Sequence, residues 1–479
     1  MPGFHVLTVG CQMNQHDSER MAEVLRQAGY SEARDVADAD VILLNTCSVR
    51  EKAEQKVRSE VGRLALLKRE RPGLVLGIAG CVAQQEGERL LRGMPALDLV
   101  VGPDNIGELP ALLAAREPGS PARVRAEFDV EAPRFLSADP APSSKISPTA
   151  FVTIMKGCNE RCSFCIVPTT RGPERYRPSS EIIDEIRRLV HAGVREVTLL
   201  GQTVNSYIDP ERALAARTES GAGRARTPDE TEFPALLHAI AAAAPELARL
   251  RYTSPHPRHL TPSLVRAHAD LPVLARHVHM PVQSGSDRVL KRMIRRYTAA
   301  EYVERVESLK ASVPGVTLST DVIVGFPGET ASDFEATLEL VRKVDYNGVF
   351  GFKYSVRPYT PALKLPDDVP EAEKATRLAA LFALSEGLRQ KHLLSLVGTR
   401  ATVLVEGRGK GEAFTGRTER NEIVHFAAEG DPTGKLVDVV VVRAFKNSLE
   451  ARVDGEPARR SHREPQSFDS ERRRSLPVV

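Results

Sequence analysis

Three times in the first 81 residues a short apolar run ends in a cysteine: HVLTVGC (His5 to Cys11), VILLNTC (Val41 to Cys47) and LVLGIAGC (Leu74 to Cys81). Stretches of helical periodicity separate the runs, with helices expected near Ser18 to Ala28 and near Arg50 to Lys68. Apolar strands alternating with helices are the pattern of βαβ units, so residues 1–118 are expected to form a doubly wound parallel sheet. The cysteines are 36 and 34 residues apart, too far for a local metal knuckle. A parallel sheet nevertheless brings the C-terminal ends of its strands side by side, and ligands bind at that edge of an open α/β sheet. Gly10 and Gly80 beside them suit close approach of a ligand to the backbone. The competing reading is three buried cysteines acting as small apolar residues.

At 479 residues the chain exceeds one ordinary hydrophobic core, so two or three domains are expected. No long uninterrupted apolar run occurs, and MPGFHVLTVGCQ has no basic stretch followed by an apolar one. Neither a membrane span nor a signal peptide is therefore expected, and the expected location is cytoplasmic. Lys plus Arg (66) nearly balance Asp plus Glu (63), so net charge alone does not point to a polyanionic partner. Six cysteines in so long a chain do not make a secreted disulfide scaffold, and in a reducing compartment metal binding is the better reading.

The stretch from Arg116 to Thr149 is rich in Pro and Ser and reads as a linker, placed at 119–143. A second domain, 144–378, carries six β-rich runs: AFVTIMKG, EVTLLGQ, LRYTS, ARHVHMPVQ, TLSTDVIVGF and GVFGFKYSV. Helical patterns fill the gaps, as in SSEIIDEIRRLVHAG, where Ser179 or Ser180 can cap and Gly193 can stop the helix. Six such repeats suggest a partial (βα)6 barrel. Residues 209–232 are polar and read as a surface insertion. A connecting helix at 379–397 leads into TRATVLVEG, AFTGRT, EIVHF, KLVDVVVVRAF and SLEARV, a small all-β barrel at 398–455. Arg400, Arg408, Lys410, Arg417, Arg420 and Lys446 there suit nucleic-acid binding, although solvated faces also carry charge. Residues 456–479 read as a disordered basic tail.

The second domain's first strand is followed by KGCNERCSFC, with Cys158, Cys162 and Cys165 spaced C-x3-C-x2-C. Zinc would want a fourth protein ligand, and no paired Cys or His follows nearby. An iron-sulfur cubane held by three thiolates instead leaves one iron open to a reacting molecule. The loop lies where barrel active sites form, at the C-terminal end of a strand.

This spacing, with Phe164 before the last cysteine, resembles the radical S-adenosylmethionine superfamily. Stretch by stretch, TVGCQMNQHDSE, NTCSVREKAEQK, GCVAQ, KGCNERCSFCIVPTTRG, LGQTVNSY, HMPVQSGSDRVLKRM and TDVIVGFPGET are similar to the methylthiotransferases within it. The resemblance covers nearly the whole chain apart from the linker, the insertion and the tail.

That resemblance implies two 4Fe-4S clusters. Cys158, Cys162 and Cys165 would hold the one that binds S-adenosylmethionine and yields a 5′-deoxyadenosyl radical. Cys11, Cys47 and Cys81 would hold a second, sulfur-carrying one. Two molecules of S-adenosylmethionine would serve each turnover, one as methyl donor and one as radical source. Groups at strand ends that could contact this polar zwitterion are Gln202, Asn205, Ser254, Gln283, Ser284 and Gly325, with Phe164 in the cysteine loop, each of which could equally be a satisfied structural group. For His277 and His279 structural packing is the better reading. The C-terminal barrel would be a TRAM module contacting the anticodon stem-loop of tRNA. The implied reaction is methylthiolation of C2 of N6-dimethylallyladenosine at position 37, a carbon whose unactivated C–H bond calls for radical chemistry. The target base would be extruded to reach both clusters. Alternatives are methylthiolation of threonylcarbamoyladenosine or of a ribosomal-protein aspartate, and, in another class, a non-enzymatic zinc protein that binds RNA. Electron and sulfur donors would be separate, unidentified proteins, and a monomer is expected. Departures from the family pattern fall at Thr203, Pro255 and Ile294, none of them expected to touch a cysteine.

Overall fold

The computed structural model describes residues 1–48, 51–117, 119–131, 133–138, 147–212, 231–409, 411 and 413–455, with backbone alone at 51–55. Lys410, the tail at 456–479, most of the insertion (213–230) and part of the linker lie outside the described residues.

The N-terminal unit is a parallel sheet of β1 (Gly3–Val9), β2 (Ser31–Glu32), β3 (Val41–Thr46), β4 (Val75–Gly80), β5 (Leu99–Val101) and β6 (Arg123–Arg125), in spatial order β2-β1-β3-β4-β5-β6. Strand β3 is buried throughout, because alternate residues feed two cores. Ile42 and Leu44 pack with Leu76 and Ile78 on one face, Val41 and Leu43 with Phe4 and Leu99 on the other. A continuous apolar run is what such two-sided burial demands. Register sets Val9 against Thr46 and Thr46 against Gly80, so the three cysteines lie just past one edge of the sheet.

Two local expectations are corrected by the structure. The first helix spans Gln12–Gln27, beginning six residues before Ser18. Its first turns bury His16, Asp17, Ser18 and Arg20, polar groups that carry no apolar periodicity. Part of the stretch read as linker forms β6, which adds in parallel to β5; three residues are too few to show a period.

The second unit carries β7 (Thr149–Thr153), β8 (Met155–Lys156), β9 (Arg175–Tyr176), β10 (Glu196–Leu200), β11 (Arg249–Tyr252), β12 (His277–His279), β13 (Thr317–Val324) and β14 (Gly348–Lys353). Parallel sheets β11-β10-β7 and β12-β13-β14 meet through a bridge between Leu250 and Leu274, giving the expected partial barrel. Helix Ser179–His191 buries Ile182, Ile186, Leu189 and Val190 and ends before Gly193, whose φ is +112°. Neither serine caps it, a further correction: Pro178 holds that position, Ser179 Oγ donates to Asp209 at 2.6 Å, and Ser180 Oγ donates to Glu211 at 2.8 Å. Two acidic side chains from the start of the insertion thus compete successfully for the hydroxyls.

Helix Glu371–Ser395 runs along β14 into a closed barrel, in order β15-β16-β17-β19-β18, of β15 (Arg400–Arg408), β16 (Phe414–Thr418), β17 (Ile423–Ala427), β18 (Leu436–Ala444) and β19 (Leu449–Val453). Val403, Val405, Phe414, Val424, Phe426 and Val441 fill it. It docks at the N-terminal ends of the partial-barrel strands. Arg249 donates to the carbonyls of Arg417 and Thr402, Arg251 to that of Thr418, and Thr317 Oγ1 to that of Arg420. Among the described residues no helix is long and apolar enough to cross a membrane.

Candidate active site

Each N-terminal cysteine sits where a strand hands over to a helix. Cys11 precedes Gln12–Gln27 and Cys81 opens Cys81–Glu86. Asn45, on β3, donates to the Asn14 carbonyl (2.7 Å) and to Ser18 Oγ (2.9 Å), fastening the first helix to the sheet beneath the cysteines. Gly80 holds φ +89°, and a Cβ there would lie 2.2 Å from Asn45 Oδ1. The Cys47 thiol, hydrogen-bonded to Cys11, helps lower the Cys11 thiol to about 6, with Asn14 and Arg171 adding to that pull against burial. Burial pushes the Cys81 thiol up.

The second triad lies in a loop between β8 and helix Val167–Arg171. Gly157 at its base has φ +78°, and a Cβ would come within 1.9 Å of the Pro173 carbonyl oxygen, so only glycine fits. The loop is tied by Cys158 N–H to the Gly172 carbonyl and by Cys165 N–H to the Cys162 carbonyl, each at 3.1 Å. Burial raises the Cys158 thiol to about 11 and the Cys165 thiol to about 12, values a bound metal would override by displacing the protons. Arg295 donates from Nη1 to Cys162 Sγ at 3.3 Å. Thr203 shares a hydrogen bond with Cys158 Sγ at 3.0 Å, so one of the departures from the family pattern does touch a cysteine. The turn after β10 brings it there, which strand assignment alone does not reveal.

One residue reaches the first triad from the helix that follows the second. Arg171 lies six positions after Cys165 in sequence, yet its Nε donates to Cys81 Sγ at 3.3 Å and its Nη2 pairs with Asp17 at 2.5 Å. Burial would raise the Asp17 carboxyl, but the Arg171 guanidinium and His16 bring it down to about 2. A second clasp lies alongside: Asp104, after β5, takes Lys156 at 3.0 Å and Arg175. Between the units opens a cavity of about 540 Å³. Its walls include Ser48, next to Cys47, Gln85, four residues past Cys81, and Arg357 and Lys374 from beyond β14. Ser48 Oγ and Gln85 Oε1 are buried with no hydrogen-bond partner.

Among the described residues no three His, Cys, Asp or Glu side chains converge closely enough to share one ion. Zinc needs its donors about 2.3 Å from a single point. The thiolates of a cubane each bind a different iron and stand farther apart. The donor chemistry, three thiols per site with no carboxylate or imidazole closing either, fits iron-sulfur clusters.

Residues 3–102 match the Uncharacterized protein family UPF0004, residues 152–341 the Radical SAM superfamily, and residues 394–453 the TRAM domain. A tRNA-2-methylthio-N(6)-dimethylallyladenosine synthase of Sorangium cellulosum is 63% identical, covering all of this chain and 99% of that one. The synthase of the same name from Geobacter sulfurreducens is 45% identical over 93% of this chain and 96% of its own. The chain belongs to the family of these synthases. A solved structure of the radical S-adenosylmethionine methyltransferase TsrM from Kitasatospora setae shares the fold, with TM-score 0.52 and 16% identity over 76% of this chain and 77% of that one.

For a member of this family the strand-end polar residues fall into two groups. Ser254, Gln283 and Gly325, past β11, β12 and β13, share positive φ values of 57°, 71° and 69°, backbone held in an uncommon conformation at one rim. Gln202 lies at the same rim, its Oε1 accepting from Gly157 N–H while buried Nε2 has no partner. Phe164 packs edge-on to Phe326 with ring centroids 6.5 Å apart. Asn205 and Ser284 are committed to the protein. Asn205 exchanges bonds with the His256 backbone at 2.9 and 2.7 Å, and Ser284 meets Ser286 and Thr337. His277 and His279 both pack on Ser319, at 3.0 and 2.9 Å.

Sequence patterns point to no role for Arg171, Arg295, Asp17 or Asp104. Arg171 stands in CIVPTTRG, but an arginine there carries no periodic or spacing signal, and its partners arrive from another unit. On the small barrel, Arg400 pairs with Asp454, Arg417 with Glu406 and Lys446 with Glu386, and Arg408 lies over the Phe414 ring.

Proposed function

We propose that this chain methylthiolates tRNA, converting N6-dimethylallyladenosine at position 37, beside the anticodon, to its 2-methylthio derivative. It is a radical S-adenosylmethionine enzyme, and its cosubstrate and a 4Fe-4S cluster belong to that superfamily. The finer reading is two clusters, one on Cys158, Cys162 and Cys165 and one on Cys11, Cys47 and Cys81. Bound, these groups would supply the adenosyl radical and the sulfur that an unactivated C2–H bond requires.

The observation that carries the reading is Arg171. Arg171 ends the helix that follows one triad and donates to a sulfur of the other, which supports a shared interface for the two sites. The remaining work falls to the chain itself. Asp17 and Asp104 hold the two units together through Arg171, Lys156 and Arg175. The cavity between the units can take an extruded base, with the polar residues Ser48 and Gln85 in its wall. Gln202, Ser254, Gln283 and Gly325 line the rim at which S-adenosylmethionine would bind. The small barrel, docked at the opposite ends of the partial-barrel strands, would grip the tRNA away from the reacting base.

Anaerobic reconstitution with iron and sulfide counting tests the cofactor assignment: two clusters in the native chain, and one when Cys158, Cys162 and Cys165 are all alanine. A native chain that takes up one cluster, or zinc, overturns it. Nucleoside mass spectrometry of tRNA from cells lacking the gene tests the substrate, with loss of 2-methylthio-N6-dimethylallyladenosine expected and unchanged levels fatal to the assignment.

A further inference from the structure

Among the described residues each cysteine triad is touched by a buried arginine, and the two arginines differ in their counter-charge. Arg171 Nε lies 3.3 Å from Cys81 Sγ, and Arg295 Nη1 lies 3.3 Å from Cys162 Sγ. Their relative exposures are 4% and 6%, so neither charge is screened by solvent. Arg171 has Asp17 at 2.5 Å, a carboxylate as buried as itself, so the pair is close to neutral. Arg295 instead meets the Tyr297 hydroxyl and the Pro281 carbonyl, each at 2.9 Å, with its guanidinium 5.2 Å from the Tyr297 ring centroid. Among the described residues no carboxylate pairs with it. Glu160, the carboxylate inside the cysteine loop, is 3.7 Å from His259 instead.

Reduction adds a negative charge to a cluster. A cation and an N–H···S bond at its ligand favour that state, and in a buried site the effect is strong. Building on the two-cluster reading above, we infer that Arg295 raises the reduction potential at Cys158, Cys162 and Cys165, while Asp17 cancels the equivalent effect of Arg171 at Cys11, Cys47 and Cys81. Both arginines are positioning residues, acting through a ligand sulfur. The asymmetry biases a one-electron donor toward the site that binds S-adenosylmethionine and away from the one that stores sulfur. One electron leaves the donor and enters one cluster, with no bond made or broken.

The test uses the full-length chain in two single-cluster backgrounds, Cys11, Cys47 and Cys81 to alanine, and Cys158, Cys162 and Cys165 to alanine. Iron is counted first, and potentials are then read by electron paramagnetic resonance during titration with dithionite. With only the second-domain cluster present, Arg295→Met moves the potential negative and Arg295→Lys moves it less. With only the N-terminal cluster present, Arg171→Met moves it negative and Asp17→Asn moves it positive. Because Arg171→Met leaves Asp17 buried without its partner, the double variant Asp17→Asn/Arg171→Met is included, with a smaller shift expected than for Arg171→Met alone. Opposite signs at positions 17 and 171 cannot come from loosened packing. A background that takes up no cluster overturns the two-cluster reading. Clusters that form but hold their potentials, or shift in the same direction for Asp17→Asn and Arg171→Met, overturn the electrostatic inference.

Discussion

The two cysteine triads, proposed here for the same task of ligation, have opposite construction. Cys158, Cys162 and Cys165 come from eight consecutive residues of one loop, folded back by Gly157 and tied by two local backbone hydrogen bonds. Cys11, Cys47 and Cys81 follow three different strands, and sheet register brings them to one edge. A loop site depends on its own turn chemistry. A strand-end site depends on the whole sheet, and its neighbours Asn14, Asn45 and Ser18 are buried structural residues first.

Replacing one ligand in each triad strikes that contrast hardest. Cys47→Ala and Cys162→Ala should each abolish the methylthio product while leaving the other triad's cluster in place, read by iron counting and mass spectrometry. Loss of both clusters from either variant would mean the sites are not independent. Next in size, Asp104→Asn leaves Lys156 and Arg175 without their shared carboxylate, at a cost of about 3 kcal/mol in denaturant unfolding. Both clusters should still form, but product formation should fall, because only the docking of one site against the other is weakened. Smaller again, Asn205→Ala removes both partners of the His256 backbone and should cost about 2 kcal/mol. The Michaelis constant for S-adenosylmethionine should stay unchanged, and a rise of about tenfold, roughly 1.4 kcal/mol of lost binding, would make Asn205 a direct contact.

The smallest effect separates the two units by pH. Burial lowers His268 to about 4, and its Nε2 shares a 2.7 Å hydrogen bond with Tyr252. The unfolded chain takes up that proton near 6.5, so stability falls as pH drops below 6.5 and stops falling near 4. Between pH 6.5 and 5.5 the loss is about 1 kcal/mol. At the interface, Asp17 contributes stability above its unfolded value of 3.8 and loses it only as pH falls toward 2. Mild acid should therefore lower the melting temperature through the second unit, and His268→Gln should make that slope shallower in scanning calorimetry, with buried His256 and His277 supplying the remainder.

Much of this was legible without coordinates, for identifiable reasons. Two-sided burial wrote β3 and β4 as continuous apolar runs, and the parallel topology they share with β1 made the convergence of three distant cysteines an inference from sequence. Three cysteines in a strand-end loop with no fourth protein ligand nearby favoured an iron-sulfur reading over zinc. Elsewhere local rules lost to tertiary partners. Ser179 and Ser180 are sound caps in isolation, but Asp209 and Glu211 take their hydroxyls. Asn205 and Ser284 stand at strand ends like ligand contacts, yet both are fully buried and hydrogen-bonded to protein groups. Thr203 read as remote from the cysteines and lies against one.

Spacing, periodicity and residue chemistry by themselves determined the parallel sheet, the partial barrel and the small β-barrel, because each is specified by patterns that repeat along the chain, and they marked six cysteines as candidate ligands. Which charge stands beside which sulfur was decided only by the tertiary structure. Arg171 and Arg295 meet their cysteines across 90 and 133 residues, at 3.3 Å in both cases. Electrostatics in a buried site depends on that distance and on the counter-charge beside it, and neither leaves a pattern in the order of the residues.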